Sequence, residues 1–539
     1  MTTPRKKNEN INAVSGDDRV NAQLDAQKRA NALLSSLESD NDGVISRAAV
    51  QEAFERAGLL LDDPRIRPVM GYLRHLAPEE AVDREALWDT FENSNLALIT
   101  RMLEGRLAIP DFDDFTRRIK ALFQEVCDIK TGSVADYIPQ LARVDADAFA
   151  LSVCTVDGQR FSLGRSDEPY CVQSTCKPIN YAIALDRLGI DEVHSHVGRE
   201  PSGQSFNELT LNASGLPHNP MINAGAIMCA SLLEPQRSAA DRFDAVMQTW
   251  HALAPGGKIS FDNAVFLSER DTADRNFALA YFMREKGAFQ PGVDLHAALD
   301  LYFQCCSITV DATTMGLIAS AFANSGVCPI SNERVFSGDI VKNCLSLMAS
   351  CGMYDFSGEY AFTVGLPAKS GVSGSLFIVV PGVCGIALWS PRLDALGNSV
   401  RGLAFSKRLT ETFAFHAYSD QNADDRRINP RRRLAVRTAD DPVRLCAAAA
   451  RGDLIELRRL VARGVDVNLA DYDGRTALHL AASDGREDAV RFLLSHHALV
   501  AARDRWKSTP MDDAEREGHS RIVELLKGAS DAPTKLVEA

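Results

Sequence analysis

The stretch Gln173-Ser174-Thr175-Cys176-Lys177-Pro178, followed by Ile179-Asn180-Tyr181-Ala182-Ile183-Ala184-Leu185, decides how the rest of the chain is read. Its second half, with apolar residues at helical spacing, predicts a buried or amphipathic helix. Pro178 fits the first turn, where a missing N–H costs nothing, so Ser174 and Lys177 stand at the helix start. Residues three apart share a helical face, which lets the hydroxyl and the amine touch. A serine hydroxyl becomes a useful nucleophile when a neighbouring base takes its proton, and lysine serves as that base only when neutral. Burial and the positive end of a helix both lower a lysine pKa. Such tetrapeptides are also common by chance, so the Ser-x-x-Lys reading depends on its surroundings.

Those surroundings belong to an ordinary soluble chain. Its 539 residues exceed one core and imply two to four domains. The net charge of −13 argues against broad nucleic-acid or membrane-surface binding. Twelve cysteines are scattered without CxxC pairs, which suggests reduced, packed thiols in a cytosolic setting. Residues 1–21 form a polar tail with no apolar h-region and a poor match to a transit peptide. The apolar run from Leu376 to Trp389 is broken by Pro381-Gly382 and is too short to cross a bilayer. A cytoplasmic location is expected.

Around the central stretch the chain divides into parts. Residues 22–115 read as a helical domain. Within it Glu38-Ser39-Asp40-Asn41-Asp42-Gly43-Val44 has the grammar of an EF-hand loop, with Glu38, Asp40, Asp42 and Val44 as the calcium ligands it would offer. The twelfth position is Ala49 rather than a bidentate glutamate, so a metal-free EF-hand-like bundle stands ahead of weak calcium binding. Residues 116–420 form a large α+β domain. Ala148 to Val156 and Gln159 to Leu163 flank Asp157-Gly158 as a hairpin with a tight primed turn. Ser375 to Val380 and Val383 to Leu388 make a second strand pair, and Asp274 to Lys286 and Ala312 to Asn324 read as helices between them. One antiparallel sheet with a helical subdomain inserted follows. A charged linker, 421–440, leads to 441–528, where Gly452, Gly485 and Gly518 recur every 33 residues. In register with them, Thr476-Ala477-Leu478-His479-Leu480-Ala481 nearly repeats the ankyrin signature, so a short solenoid for protein contacts is expected. His479 fits the helix-start position of that motif, not a metal site. Residues 529–539 form a tail.

Several further stretches of the central domain carry more polar residues than a plain core needs. They surround Asn223, Glu269, Tyr354 and Lys369, which taken singly read as a helix cap, a first-turn acid, a packed turn residue and a strand-edge charge. Together they resemble the serine β-lactamases and penicillin-binding proteins, with Lys369-Ser370-Gly371 a relative of the K-T-G strand, although no S-D-N element matches. A closer resemblance rests on Asp136-Tyr137-Ile138-Pro139-Gln140-Leu141-Ala142, Val153-Cys154-Thr155-Val156-Asp157-Gly158-Gln159, His218-Asn219-Pro220-Met221, Asn223-Ala224-Gly225-Ala226, Asp274-Arg275-Asn276-Phe277-Ala278 and Leu366-Pro367-Ala368-Lys369-Ser370-Gly371-Val372. Residues 116–420 are similar to the glutaminases, which hydrolyse L-glutamine to L-glutamate and ammonia on a β-lactamase-like fold. The multidomain layout resembles the kidney-type animal members.

The resemblance implies that Ser174 is the nucleophile, Lys177 its base and Tyr354 a proton relay. It places substrate contacts at Tyr137, Gln173, Ser174, Asn223, Glu269, Asn276, Tyr302, Tyr354 and Val372. Glu269 would face the substrate ammonium, and the N–H groups of Ser174 and Val372 would form the oxyanion hole. No cofactor is implied for catalysis, and dimers, tetramers or filaments are implied for assembly. Where the animal enzymes carry a Lys-Leu-Phe gating loop this chain has Glu208-Leu209-Thr210, so weak or absent phosphate activation is expected. Two other readings stand beside this one: a β-lactamase-like acyl hydrolase with another substrate, and a non-catalytic ankyrin scaffold.

Overall fold

Strands that are apolar on both faces need cover on both sides, and the strands Ser375–Val380 and Cys384–Trp389 of this chain, like Ala150–Thr155, are buried along their whole length. The structure, a computed structural model, describes residues 33–34, 37, 44–203, 208–419, 427–431, 434–462 and 465–530. It divides into two units, residues 1–417 and 418–539.

The first unit begins with four short helices, α1 (Arg47–Arg56), α2 (Arg67–Leu73), α3 (Arg84–Glu92) and α4 (Leu96–Leu103). Ser46, Asp83 and Asn95 each cap one of them by accepting the backbone N–H three residues on. Glu38, Asp40 and Asp42 of the EF-hand-like loop lie outside the described residues, and Val44 is exposed at their edge. Helix α5 (Phe112–Cys127) runs across position 115, where the sequence reading divides two domains.

The body of the first unit then alternates strands and helices. The strands are β1 (Ala150–Thr155), β2 (Arg160–Gly164), β3 (Tyr170–Cys171), β4 (Ile259–Phe261), β5 (Ile308–Val310), β6 (Ala368–Ser370), β7 (Ser375–Val380) and β8 (Cys384–Trp389). The helices that matter below are α6 (Lys177–Leu188), α7 (Asn223–Leu232), α8 (Asn263–Asp271), α9 (Asp274–Glu285), α10 (Leu295–Cys306), α11 (Ala312–Ala323) and α12 (Val400–Thr412).

The main sheet is antiparallel with order β2-β1-β8-β7-β6. Phe377 meets Phe322 of α11 edge-on at 5.7 Å, and its neighbour Leu376 turns to the opposite face beside Gly402 of α12, as the period of two requires. Gly385 on β8 lets α11 lie unusually close, since a Cβ there would sit 2.1 Å from the Ser320 nitrogen. The expected single sheet is joined by a second one, β3-β5-β4, pairing Tyr170 with Val310 and Ile259 with Val310. Strands of two or three residues carry no readable periodicity, which is why the sequence did not announce it.

The β1–β2 hairpin forms as expected, but its turn is not a primed pair. Gly158 alone has positive φ, at 80°, and Thr155 closes the loop by donating its N–H to the Gln159 carbonyl. The tip is held instead by the N-terminal helices. Asp157 accepts from the Ala108 N–H and pairs with Arg101, while Arg65 donates to the carbonyls of Asp157 and Pro329. Asp63, fully buried, takes both Arg65 and Arg160, and those cations hold its carboxyl below the usual range although burial opposes them.

The second unit opens with α13 (Leu434–Arg451), so helix begins within the stretch read as linker. It continues through α14 (Leu454–Ala462), α15 (Ala477–Ser483), α16 (Glu487–Ser495), α17 (Pro510–Arg516) and α18 (Ser520–Ser530). Gly452, Gly485 and Gly518 have φ of 70°, 69° and 79°, each just beyond the first helix of a pair. The 33-residue period is thus the recurrence of a left-handed helix exit that favours glycine. His479 caps its helix: Nδ1 accepts from the Thr476 N–H at 3.1 Å, and Nε2 donates to the Ser508 carbonyl at 3.1 Å.

Candidate active site

Gln173–Cys176 forms a single 3₁₀ turn that runs straight into α6, so Ser174 and Lys177 sit one turn apart at the helix start. Lys177 Nζ lies 2.9 Å from Ser174 Oγ and donates to Asn223 Oδ1 at 2.7 Å. Asn223, the first residue of α7, in turn donates from Nδ2 to Asn276 Oδ1 at 3.0 Å. Lys177 is 1% exposed, and burial lowers its pKa. A neutral amine has two hydrogens and a lone pair; with one hydrogen committed to Asn223, its lone pair is free to receive the Ser174 proton.

Glu269 supplies a carboxylate nearby. It lies in the last turn of α8, not at a helix start, so it is no first-turn acid. Burial raises its pKa to about 7, against the hydrogen bond from Gln173 Nε2 at 3.1 Å and the nearby Lys177. Gln173 itself is held at φ 47° and Tyr354 at φ 53°, a left-handed conformation uncommon outside glycine. Ser174 is a hydrogen-bonding neighbour of the Tyr354 hydroxyl, and burial pushes that phenol's pKa up, so it remains a donor. Tyr302, from α10, is buried with its ring centroid 5.9 Å from Lys177 Nζ.

Lys369 is the largest departure from the sequence reading. Its strand β6 is at the edge of the sheet, but the side chain turns inward and is fully buried. Nζ donates to the carbonyls of Gly352 (3.1 Å) and Ser370 (2.8 Å) and lies 4.5 Å from the Tyr354 ring centroid. Burial, and then the neighbouring Lys177, hold its pKa well below the ordinary lysine value. Gly371, two residues on, admits the Val172 carbonyl, which a Cβ would meet at 2.8 Å.

These side chains surround a cavity of about 320 Å³ lined by Tyr137, Gln173, Ser174, Asn223, Glu269, Thr272, Ala273, Arg275, Asn276, Tyr302 and Val372. Tyr137 is half-exposed at the rim, and Lys177 lies behind Ser174. Tyr354 lines a neighbouring cavity of about 520 Å³ with Met221, Ile222 and Cys351. The sequence reading passed over Thr272, Ala273 and Arg275. Arg275 stands inside a quoted motif, and its place beside Asn276 at a helix start was the available signal.

Comparison with known proteins gives a consistent result. Residues 132–418 match the family model described as Glutaminase, and residues 445–535 match a model of three ankyrin repeats. The chain is 44% identical over 485 residues to the mitochondrial liver isoform of glutaminase from Rattus norvegicus, covering 89% of this chain and 80% of that one. It is 45% identical over 490 residues to a putative glutaminase from Caenorhabditis elegans, covering 88% and 81%. A solved structure of a probable glutaminase superimposes with a TM-score of 0.52 at 34% identity, covering 55% of this chain and 96% of that one.

Proposed function

Because the chain belongs to the glutaminase family, we propose that its hydrolysis of L-glutamine to L-glutamate and ammonia runs through a glutamyl ester on Ser174. The observation that carries this reading is the 2.9 Å approach of Lys177 Nζ to Ser174 Oγ, with the lysine's charge disfavoured by burial. Lys177 takes the Ser174 proton as Oγ attacks the side-chain amide carbon. The oxyanion that forms is met by the N–H groups of Ser174 and Val372. Tyr354 hands a proton to the leaving nitrogen and recovers one from Lys177, the C–N bond breaks and ammonia departs. Water then attacks the ester, Lys177 accepts its proton, and Ser174 regains it as glutamate leaves. Glu269 holds the substrate ammonium, and Gln173, Asn223, Asn276, Tyr137 and Tyr302 orient the rest.

Every step is assigned to this chain's own groups, so chelator-treated protein is expected to keep its turnover. Ammonia release from L-glutamine by the wild type and by Ser174→Ala, with L-asparagine as control, tests the pathway. Turnover surviving in Ser174→Ala would overturn it. We further propose weak phosphate activation, since Glu208 stands where a cation would attract the anion; a steep rise of rate with phosphate would contradict this. Homo-oligomers and protein contacts through the ankyrin unit complete the reading, tested by light scattering. Twelve cysteines, eleven of them buried, support a reducing compartment.

A further inference from the structure

The two turns that lead into α15 and α17 are built alike. Asp471 Oδ1 accepts the N–H groups of Asp473 and Arg475, and in the next repeat Asp504 Oδ1 accepts those of Trp506 and Ser508, all at 2.9 Å. Both carboxylates are thus engaged within their own turns, and the tips are left to other side chains. Tyr472, on the first tip, is 89% exposed, and Trp506, on the second, is 58% exposed. Arg505 lies with them, its guanidinium 4.4 Å from the Trp506 ring centroid and 5.9 Å from that of Tyr472, and it pairs with Asp473 at 2.6 Å. The Arg505 N–H also donates to the Asp473 carbonyl at 2.8 Å, which ties one turn to the other. Where the first turn has Gly474, with φ 74°, the second has Lys507, with φ 68°. That left-handed conformation disfavours a side chain, so the second turn keeps strain in order to carry an ammonium at its tip. Lys507 has no carboxylate partner among the described residues, and Arg503 stands beside it, donating to its carbonyl at 2.7 Å.

We propose that Tyr472, Arg505 and Trp506 form a docking surface for an extended acidic segment of a partner protein that carries aromatic side chains at alternate positions. Exposed rings and an arginine held on a rigid mount lose little freedom on binding, and Tyr, Trp and Arg are the residues that dominate binding hot spots. In an extended segment alternate side chains share one face, which lets two aromatic groups meet the Tyr472–Arg505–Trp506 layer together. The acidic residues around them answer Arg503 and Lys507, whose charge the turn carboxylates do not cancel. A nucleic acid would need a longer track of cations for its phosphates, whereas the exposed Asp512 and Glu515 follow directly on α17. The proposal rests on the reading of the ankyrin unit as a module for protein contacts, and is independent of the chemistry at Ser174.

The test is fluorescence anisotropy of the full chain with the labelled peptide Glu-Glu-Tyr-Glu-Tyr-Glu-Glu, against one with Ala for both Tyr and one with Lys for every Glu. The acidic aromatic peptide should bind at least tenfold more tightly than either control, and more weakly as salt rises. Trp506→Ala and Arg505→Glu should each weaken it roughly tenfold or more, with glutamine turnover unchanged. Lys507→Gly removes the tip cation and relieves the backbone, so it should weaken the peptide while the urea midpoint of the second unit holds or rises, a combination that a merely structural role would not give. Equal binding of the three peptides, or binding of the acidic one that survives Trp506→Ala, overturns this site; binding that survives leaves the ankyrin unit a protein-contact module elsewhere on its surface, and no binding of any peptide counts against both readings. Tighter binding of a thymidine 15-mer, lost in Trp506→Ala, would make the surface a nucleic-acid site and overturn the proposal. So would a fall in oligomer mass in Trp506→Ala by light scattering, which would give the surface to a second copy of the chain.

Discussion

Lys177 and Glu269 set opposite demands on one small volume: each is buried, and burial favours the neutral form that Lys177 needs but opposes the ionised form that Glu269 needs. Lys177 must be neutral to accept a proton, so Lys177→Arg, which keeps the length but cannot deprotonate, should lose on the order of 10²–10⁴ in kcat. Glu269 must be ionised to hold an ammonium, yet burial raises its pKa to about 7. Both requirements point the same way: kcat/KM for glutamine should rise with pH through about 7, and a profile that falls over that range would contradict the assignment. Stability carries the opposite sign. A carboxyl whose folded pKa is raised stabilises the protein at acid pH and loses that contribution as pH climbs through the folded value. Glu269→Gln, which cannot ionise, should therefore melt higher than the wild type above pH 7, by on the order of 1 kcal/mol, and show no gain at acid pH, while losing turnover. Differential scanning calorimetry at the two pH values checks this. At this scale the sequence was legible where residue type and spacing coincide, as in Ser174 and Lys177. It misplaced Lys369, which taken singly read as a strand-edge charge, because which way an edge-strand side chain turns depends on pairing with β7, 8 residues away at Phe377.

Elements show a similar division. The long helix over Ala312–Ala323 and the strands on either side of Pro381-Gly382 were readable because their apolar runs are long. The second sheet was not, since β3, β4 and β5 are too short to declare a period. The ankyrin repeats were the plainest, because a recurring left-handed exit leaves a glycine at a fixed interval. His479 caps its own helix through Nδ1 and joins it to the next repeat through Nε2, so His479→Ala removes a cap and a link at once. Loss of about 1–3 kcal/mol is expected in the urea unfolding of the second unit, from the buried groups left without partners. Asn at that position, able to accept but shorter, should not restore the contact to Ser508.

At the level of the whole molecule, the N-terminal helices are part of the catalytic body and not an appendage to it. Asp63 is buried with two arginines, and the pair it makes with Arg65 is coupled to the hairpin tip. Removing Arg65 leaves Asp63 with Arg160 alone and the Asp157 and Pro329 carbonyls without their donor, so Arg65→Met should cost about 3–5 kcal/mol and lower glutamine turnover only through loss of folded protein. A melting temperature equal to that of the wild type would contradict the arrangement. This interlock has a consequence for how the chain is made. Arg65 donates to the carbonyl of Pro329, 264 residues further on, so the part of the protein that leaves the ribosome first cannot complete its contacts until well over half of the chain has been translated. Helices α1 to α4 should wait in a partly open state, within reach of chaperones, and the N-terminal region should become protease-resistant on stalled ribosomes only once Pro329 has cleared the exit tunnel.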